Sequence, residues 1–155
     1  GMTHVQLLDP YAVNNFGGLS LGGDKAGEDV TTVTLDQLGL PACHFLKIDV
    51  VGMETAVIHG AFGTIESYSP VMYVENDRTE HSPELLQLFS SRGYQLYWHL
   101  PRLFNPDNYV GEPENIYGDI VSANMLCFPR ERNITVSGFR EVSGPNDTWN
   151  APKPK

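Results

Sequence analysis

The pattern of apolar and polar positions predicts alternating strands and helices from residue 45 onward. Short apolar runs rich in β-branched and aromatic residues are typical of strands inside a sheet. Four such runs occur, at residues 45–50, 71–74, 94–99 and 125–128. Lys47 and Asp49 are the only polar residues that interrupt the first run, so we expect that strand to be covered on both faces.

Two helices are predicted between these strands. Over residues 53–68, apolar residues recur at spacings of three and four, and Pro70 prevents the helix from continuing. A second helix is expected to begin at Ser82, an N-cap residue followed by Pro83, and to end at Gly93. Alternation of strands and helices is the pattern of right-handed crossovers, so we predict an α/β fold with a mainly parallel sheet and flanking helices.

The two ends of the chain carry weaker patterns. Residues 11–27 are rich in glycine and asparagine and predict a loop, and residues 30–35 predict a strand. From residue 137 the chain is polar, contains three prolines and has no amphipathic period. We therefore predict one domain, residues 1–136, followed by a polar tail, residues 137–155.

Composition argues against several kinds of partner. Ten lysines and arginines against nineteen aspartates and glutamates give a formal net charge of −9, which repels nucleic acid and anionic lipid. No apolar run approaches the roughly 20 residues of a membrane span, and no positively charged segment leads into an apolar one near residue 1. Two cysteines without a CxxC pair suit a reducing compartment. We expect a cytoplasmic protein without nucleic-acid or membrane partners.

Acidic and amide side chains lie at the predicted carboxyl ends of two consecutive strands. Asp49 ends the first strand, and Glu75, Asn76 and Asp77 follow the second. Ligands of parallel sheets bind beyond the carboxyl ends of the strands, so we expect these side chains to face one crevice. A carboxylate there could orient a hydroxyl nucleophile or accept its proton. The alternative is structural: Asp49 would stabilise the following helix N-terminus, and the other residues would cap the loop.

Further candidates lie around the third and fourth strands. His99 ends the third strand and could act as a general base near neutral pH, although a histidine there could simply bind nearby carbonyl groups. The long segment 101–118 is typical of a binding loop, and its Asn105 and Asn108 could contact an acceptor. Asn124 enters the fourth strand and could line the same crevice.

Five segments resemble the C-terminal half of FkbM-type methyltransferases: LKIDVVGMETAVIHGAF, SPVMYVENDR, GYQLYWH, FNPDN and SANMLCFP. The resemblance runs from about residue 15 to residue 129. It implies a Rossmann-like class I fold and transfer of a methyl group from S-adenosylmethionine, mostly to an oxygen of a small-molecule or sugar acceptor. It also implies that Asp49 borders both the methyl donor and the acceptor.

The resemblance distributes the candidate residues over two roles. The candidate catalytic residues are Asp49, Glu75 and His99, of which Asp49 is also the candidate cofactor-binding residue. The candidate substrate-binding residues are Asn76, Asp77, Asn105, Asn108 and Asn124. Catechol-type O-methyltransferases hold magnesium at similarly spaced strand ends, so Asp49, Glu75 and Asn76 could bind a hard divalent cation by that resemblance. Three oxygen donors are few for such an ion, and we predict no metal.

The chain departs from the family pattern in two ways. Val51 occupies the position where the family strand usually continues with a glutamate. The glycine-rich Asp-Val-Gly-Ala-Asn-type loop and the acidic residue that binds the ribose in the family do not occur in the sequence. We therefore expect an N-terminally truncated domain that could be inactive as the isolated chain.

Two functions from different classes follow. The first is S-adenosylmethionine-dependent methyl transfer. The second is a non-catalytic remnant or assembly module, because residues 45–50 would form an open sheet edge without the strand that precedes them in the family. Residues 4–8 or 30–35 could cover this edge, or a second copy could do so across a two-fold axis, and we expect a homo-oligomer.

Overall fold

The chain folds into a five-stranded sheet with three α-helices, preceded by a separate two-stranded hairpin. The computed structural model describes residues 1–15, 21 and 26–151, and these counts hold for that part of the chain. In chain order, the elements are β1 (Met2–Gln6), β2 (Gly27–Thr31), β3 (Phe45–Ile48), α1 (Glu54–His59), α2 (Phe62–Tyr68), β4 (Val71–Glu75), α3 (Ser82–Ser91), β5 (Tyr94–His99), β6 (Asn124–Pro129) and β7 (Arg140–Glu141).

The N-terminal strands form a hairpin apart from the main sheet. β1 and β2 pair antiparallel, with Met2 opposite Thr31. Among the described residues, β3 pairs only with β4. The prediction that residues 4–8 or 30–35 cover the β3 edge is therefore wrong, because β1 and β2, which contain parts of these segments, pair with each other instead.

The main sheet is mixed, in the order β3-β4-β6-β5-β7. β3 and β4 are parallel, whereas the other three pairings between the described strands are antiparallel. The prediction of a mainly parallel sheet is wrong for this reason. β6 follows β5 in the chain and pairs antiparallel with it. On its other side β6 pairs antiparallel with β4, so it lies between β4 and β5. Because β6 is antiparallel to both, β4 and β5 still point in the same direction.

The helix predicted over residues 53–68 is divided into α1 and α2 near Gly60. The carbonyl oxygen of Gly60 accepts a hydrogen bond from the N–H of Asp36 at 3.0 Å. The Asp36 carboxylate in turn accepts bonds from the N–H groups of Gly63 and Thr64 and from the Thr64 hydroxyl, at 2.9, 2.7 and 2.7 Å. These contacts satisfy the N-terminal amides of α2 and start a new helix where periodicity alone suggests a continuous one.

All three helices pack on the same face of the sheet. Their buried residues, among them Ile58, Ile65 and Leu86, form one core with strand residues such as Met72 and Met125. Successive right-handed crossovers that progress in one direction across a sheet place their helices on one side. The prediction that the first strand is covered on both faces is therefore wrong, and strand residues of the opposite face, which we call the open face, remain partly exposed.

The segment predicted as a polar tail contacts the sheet and core as far as Trp149. β7 pairs with β5 at the sheet edge. Arg140 and Asp147 form an ion pair of 2.8 Å, with side chains only 14% and 3% exposed, and the indole N–H of Trp98 also donates to Asp147. Trp149 packs against the core. Residues 152–155 lie outside the described part of the chain.

The described helices are short. The longest of them, α3, has 10 residues. Over the described ranges, no helix has the length and apolar character needed to cross a membrane.

Candidate active site

Four of the predicted site residues lie together at one edge of the sheet. Ile48 pairs with Val74 in the parallel β3–β4 register, which places Asp49 beside Glu75. Glu75 is opposite Asn124, and Asn124 is opposite His99. Side chains of directly opposite residues project from the same face of a sheet. The row from Asp49 to His99 therefore belongs to the open face, and the predicted convergence of the first two strand ends holds for Asp49 and Glu75.

Asp49 and Glu75 form a hydrogen-bonded pair of carboxyl groups, which we call the acid pair. Burial, reinforced by the charge of Asp49, raises the pKa of Glu75 to about 7. Lys47 donates to Asp49 over 2.7 Å, and this bond holds the pKa of Asp49 below its usual value against the effect of burial. Near neutral pH, the protonated form of Glu75 can therefore donate to ionised Asp49, while the Lys47 ammonium offsets the charge of Asp49.

The turn that follows β3 carries backbone strain. Val51 has φ +40°, a left-handed conformation that β-branched residues rarely adopt, and Gly52 follows with φ +82°. The carboxylate of Glu54 accepts a bond from the N–H of Gly52 at 3.0 Å, so Glu54 satisfies this amide before α1. Asp49 instead bonds with Lys47 and Glu75, which argues against the helix-capping alternative. Strain of this kind is common where a chain presents functional groups.

Tyr73 brings His99 into contact with the second strand. The Tyr73 hydroxyl and His99 Nδ1 are 2.8 Å apart. Burial raises the pKa of the Tyr73 hydroxyl, so the neutral phenol is the form that meets the imidazole. Tyr73 precedes Glu75 by two residues, and it therefore lies on the same open face. Sequence reasoning missed Tyr73, although strand alternation from Glu75 is a signal that could have identified it.

Two of the predicted substrate-binding residues direct their amide hydrogens into the protein. Asn76 is 4% exposed, and its amide nitrogen donates to the hydroxyl of Ser82 at 2.9 Å and to the sulfur of Met125 at 3.3 Å. The amide nitrogen of Asn124 donates to the hydroxyl and carbonyl oxygens of Ser122, at 2.7 and 3.1 Å. These bonds connect β4 to α3 and hold the start of β6. A substrate-binding role for either residue stays a prediction.

Asn76 also bears on the alternative metal site. Its side chain is bonded to Ser82 and Met125 on the helix side of the sheet, whereas the acid pair belongs to the open face. Over the described residues, no group of three or more histidine, cysteine, aspartate or glutamate side chains could hold a metal ion. The three oxygen donors of the alternative site are thus not brought together.

Asp77 lies in a different environment from the acid pair. It lines a cavity of about 390 Å³ between α1 and α3, together with Asn76, Arg78, His59 and His81. Asp49 and Glu75 are not among the residues that line this cavity. A carboxylate oxygen of Asp77 is 3.5 Å from the guanidinium of Arg78. The structure therefore divides the predicted acidic cluster between the open face and the helix side.

The remaining predicted residues, Asn105 and Asn108, lie in the loop between β5 and β6. The Asn105 side-chain oxygen accepts a bond from the N–H of Asp107 at 3.0 Å, a local turn contact. Asn108 binds backbone groups on both sides of the loop. Both asparagines line a cavity within the loop. Their contact with an acceptor stays a prediction.

The fold and site describe an α/β domain with a mixed sheet and an acid pair at the carboxyl ends of two parallel strands. The model of one family, the methyltransferase FkbM domain, matches residues 6–96, which is more than half of the chain. The chain therefore belongs to the FkbM methyltransferase domain family, and the predicted family is confirmed. No curated protein and no solved structure matches the chain.

Proposed function

We propose that this chain methylates a hydroxyl oxygen of a small-molecule or sugar acceptor, with S-adenosylmethionine as the donor, at the acid pair on the open face. Family membership supports methyl transfer in general. The raised pKa of Glu75, about 7, supports an oxygen atom as the methyl acceptor, because a base with this pKa accepts a hydroxyl proton efficiently near neutral pH. The shared direction of β3, β4 and β5 supports a Rossmann-like arrangement.

The two residues of the acid pair would have different roles, one as a base and the other in orienting the acceptor. Ionised Glu75 would take the proton of the acceptor hydroxyl as the oxygen gains the methyl group. Asp49, held ionised by Lys47, would orient that hydroxyl through a hydrogen bond. S-adenosylmethionine, when bound, supplies a methyl group on a positively charged sulfur. An ionised carboxylate beside the ring of Tyr73 suits this charge, so the described residues fit the sulfonium end of the donor.

The adenosine end of the donor is a different matter. The glycine-rich loop and ribose-binding carboxylate of the family do not occur in the sequence, and the acid pair lies on an open sheet face. The described residues of this chain do not fit the adenosine end of S-adenosylmethionine.

His99 would act apart from the acid pair. β6 lies between β4 and β5, so His99 and Glu75 are two strand spacings apart, roughly 10 Å. This separation is too large for both residues to exchange a proton with the same oxygen. The bond from Tyr73 would instead orient the imidazole toward another part of the acceptor.

Calorimetric titration with S-adenosylmethionine tests the donor, because this ligand carries the positively charged sulfur that suits ionised Asp49. We expect saturable binding by the unmodified chain and binding at least several-fold weaker by Asp49→Asn. Glu66→Gln is the matched control, because Glu66 is an exposed carboxylate on α2, on the opposite side of the sheet. Absence of heat at millimolar ligand would contradict donor binding by this chain.

A second candidate function, assembly without catalysis, is favoured by one observation. In the described structure β3 pairs only with β4, and Phe45 on β3 is 58% exposed. Unpaired strand edges are templates for pairing with another chain. If β3 pairs with its copy in a homo-oligomer, sedimentation velocity should detect a dimer that Phe45→Lys dissociates. A monomer at all concentrations would exclude this function.

A further inference from the structure

We propose that the loop between β5 and β6 binds a small organic cation, namely a protonated amine attached to an aromatic or aliphatic group. The loop connects His99 to Asn124 and contains a cavity of about 450 Å³. Both connecting residues belong to the row that includes Glu75, so the loop leaves the sheet at the edge that carries the acid pair.

The loop has a defined internal structure. At its base, an isolated antiparallel bridge joins Arg102 to Val121. Farther out, the side chain of Asn108 binds both arms of a turn: its amide nitrogen donates to the carbonyl oxygens of Asn105 and Glu112, at 3.1 and 2.7 Å. The Asn108 side-chain oxygen accepts a bond from the N–H of Glu112 at 2.9 Å. These bonds use both amide hydrogens of Asn108 and fix the conformation of the turn that lines the cavity.

The wall of this cavity is apolar and exposed. The side chains of Leu103, Val110, Ile116 and Tyr117 line the cavity and are 48%, 81%, 75% and 45% exposed. Contiguous exposed apolar surface marks a binding site, and cavities of this size hold small molecules. An apolar ligand body would remove this surface from water.

Negative charge borders the same wall. Glu112 and Glu114 both line the cavity. The only basic residue of the loop, Arg102, is paired with Asp119 at 3.0 Å. Because the whole chain also has a formal charge of −9, an anionic ligand or an anionic membrane surface would be repelled. A cation complements the two glutamates and can also interact with the ring of Tyr117.

Three compounds with one body and different charge test the proposal: phenylbutylamine, phenylbutanol and phenylbutanoate. Their affinities are measured near pH 7 by following backbone amide signals in NMR titrations of the full chain. We expect the amine to bind about five- to tenfold more tightly than the alcohol, and the carboxylate more weakly still. Shifted amide signals should be confined to residues 103–117. Equal affinity of amine and carboxylate, or shifts elsewhere, would overturn the proposal.

Variants separate charge from apolar contact. The double variant Glu112→Gln/Glu114→Gln should reduce amine affinity to that of the alcohol, whereas Ile116→Ser should weaken both ligands. Asp107→Asn is the control for charge, since it removes one carboxylate from the same loop but Asp107 does not line the cavity. Loss of amine preference in the control, or its retention in the double variant, would contradict a defined site.

That the ligand bound by this loop also carries the hydroxyl that is methylated rests on the proposed function. The amine-binding proposal and the proposed function can be refuted separately. A chain that binds the amine but not S-adenosylmethionine would retain this binding site and lose the proposed donor, whereas the opposite result would refute the amine site alone.

Discussion

The raised pKa of Glu75 makes a prediction about stability that needs no substrate. The unfolded chain ionises a glutamate near pH 4.5, whereas folded Glu75 retains its proton to about pH 7. Between these values the folded state binds more protons than the unfolded state, so the free energy of unfolding falls as pH rises. Asp49 has the opposite, lowered pKa, and its contribution is lost only in stronger acid. The window from pH 5 to pH 8 therefore reports on Glu75.

The size of the effect follows from the same values. A pKa that moves from 4.5 to about 7 corresponds to about 3 kcal/mol. Solvent screening at this partly exposed rim reduces the figure to roughly 1–2 kcal/mol. Glu75→Gln resembles the protonated side chain in shape and can still donate to Asp49. We therefore expect the variant to match the original protein at pH 5 and to be more stable by roughly 1–2 kcal/mol at pH 8.

Urea unfolding followed by tryptophan fluorescence measures this difference, since Trp98 is buried in the core. The other titratable groups are common to both proteins, so their contributions cancel in the comparison. Glu66→Gln, which removes an exposed carboxylate on the opposite side of the sheet, is measured at the same pH values for comparison. If the gap between Glu75→Gln and the original protein is the same at pH 5 and pH 8, the acid pair does not hold a shared proton.

Three further substitutions test other contacts of the structure. Asp147→Asn leaves the largely buried guanidinium of Arg140 without its charged partner and should cost about 3–5 kcal/mol in urea unfolding; a cost below 1 kcal/mol would contradict attachment of the C-terminal segment. Tyr73→Phe should cost about 1 kcal/mol and change the nitrogen chemical shifts of His99 in NMR, and unchanged shifts would argue against their contact. Val51→Asn should stabilise the protein by about 0.5–1 kcal/mol, because asparagine tolerates positive φ. Any loss of stability would contradict the claim that the backbone of Val51 is strained.

Local sequence signals located the main strands and the start of the third helix well. The predicted strand over residues 94–99 coincides with β5, and α3 begins at Ser82, although His81 and not the predicted Ser82 occupies the N-cap position. These patterns depend on neighbours within a few residues, so they can be recognised without tertiary information. The division between α1 and α2 escaped the periodicity because it depends on Asp36, which lies more than twenty residues away in sequence.

The candidate site was predictable only in part. Asp49 and Glu75 end consecutive strands that are parallel neighbours, so their meeting followed from strand order. Asn76 follows Glu75 directly, yet its side chain is buried against Ser82 and Met125. The pattern at strand ends indicates which residues are close, but the direction of each side chain depends on the elements that pack around it.

The sequence by itself determined the positions of β3 to β6, the family and the two acidic strand ends, because each depends on short local patterns. Only the tertiary structure decided that β6 inserts between β4 and β5, that the helices cover one face, and that the C-terminal segment closes an edge. It also decided the pKa of Glu75, which depends on burial and on the nearby charge of Asp49. The physical reason is that strand pairing, burial and electrostatics are sums over contacts between distant parts of the chain, and no local pattern records those sums.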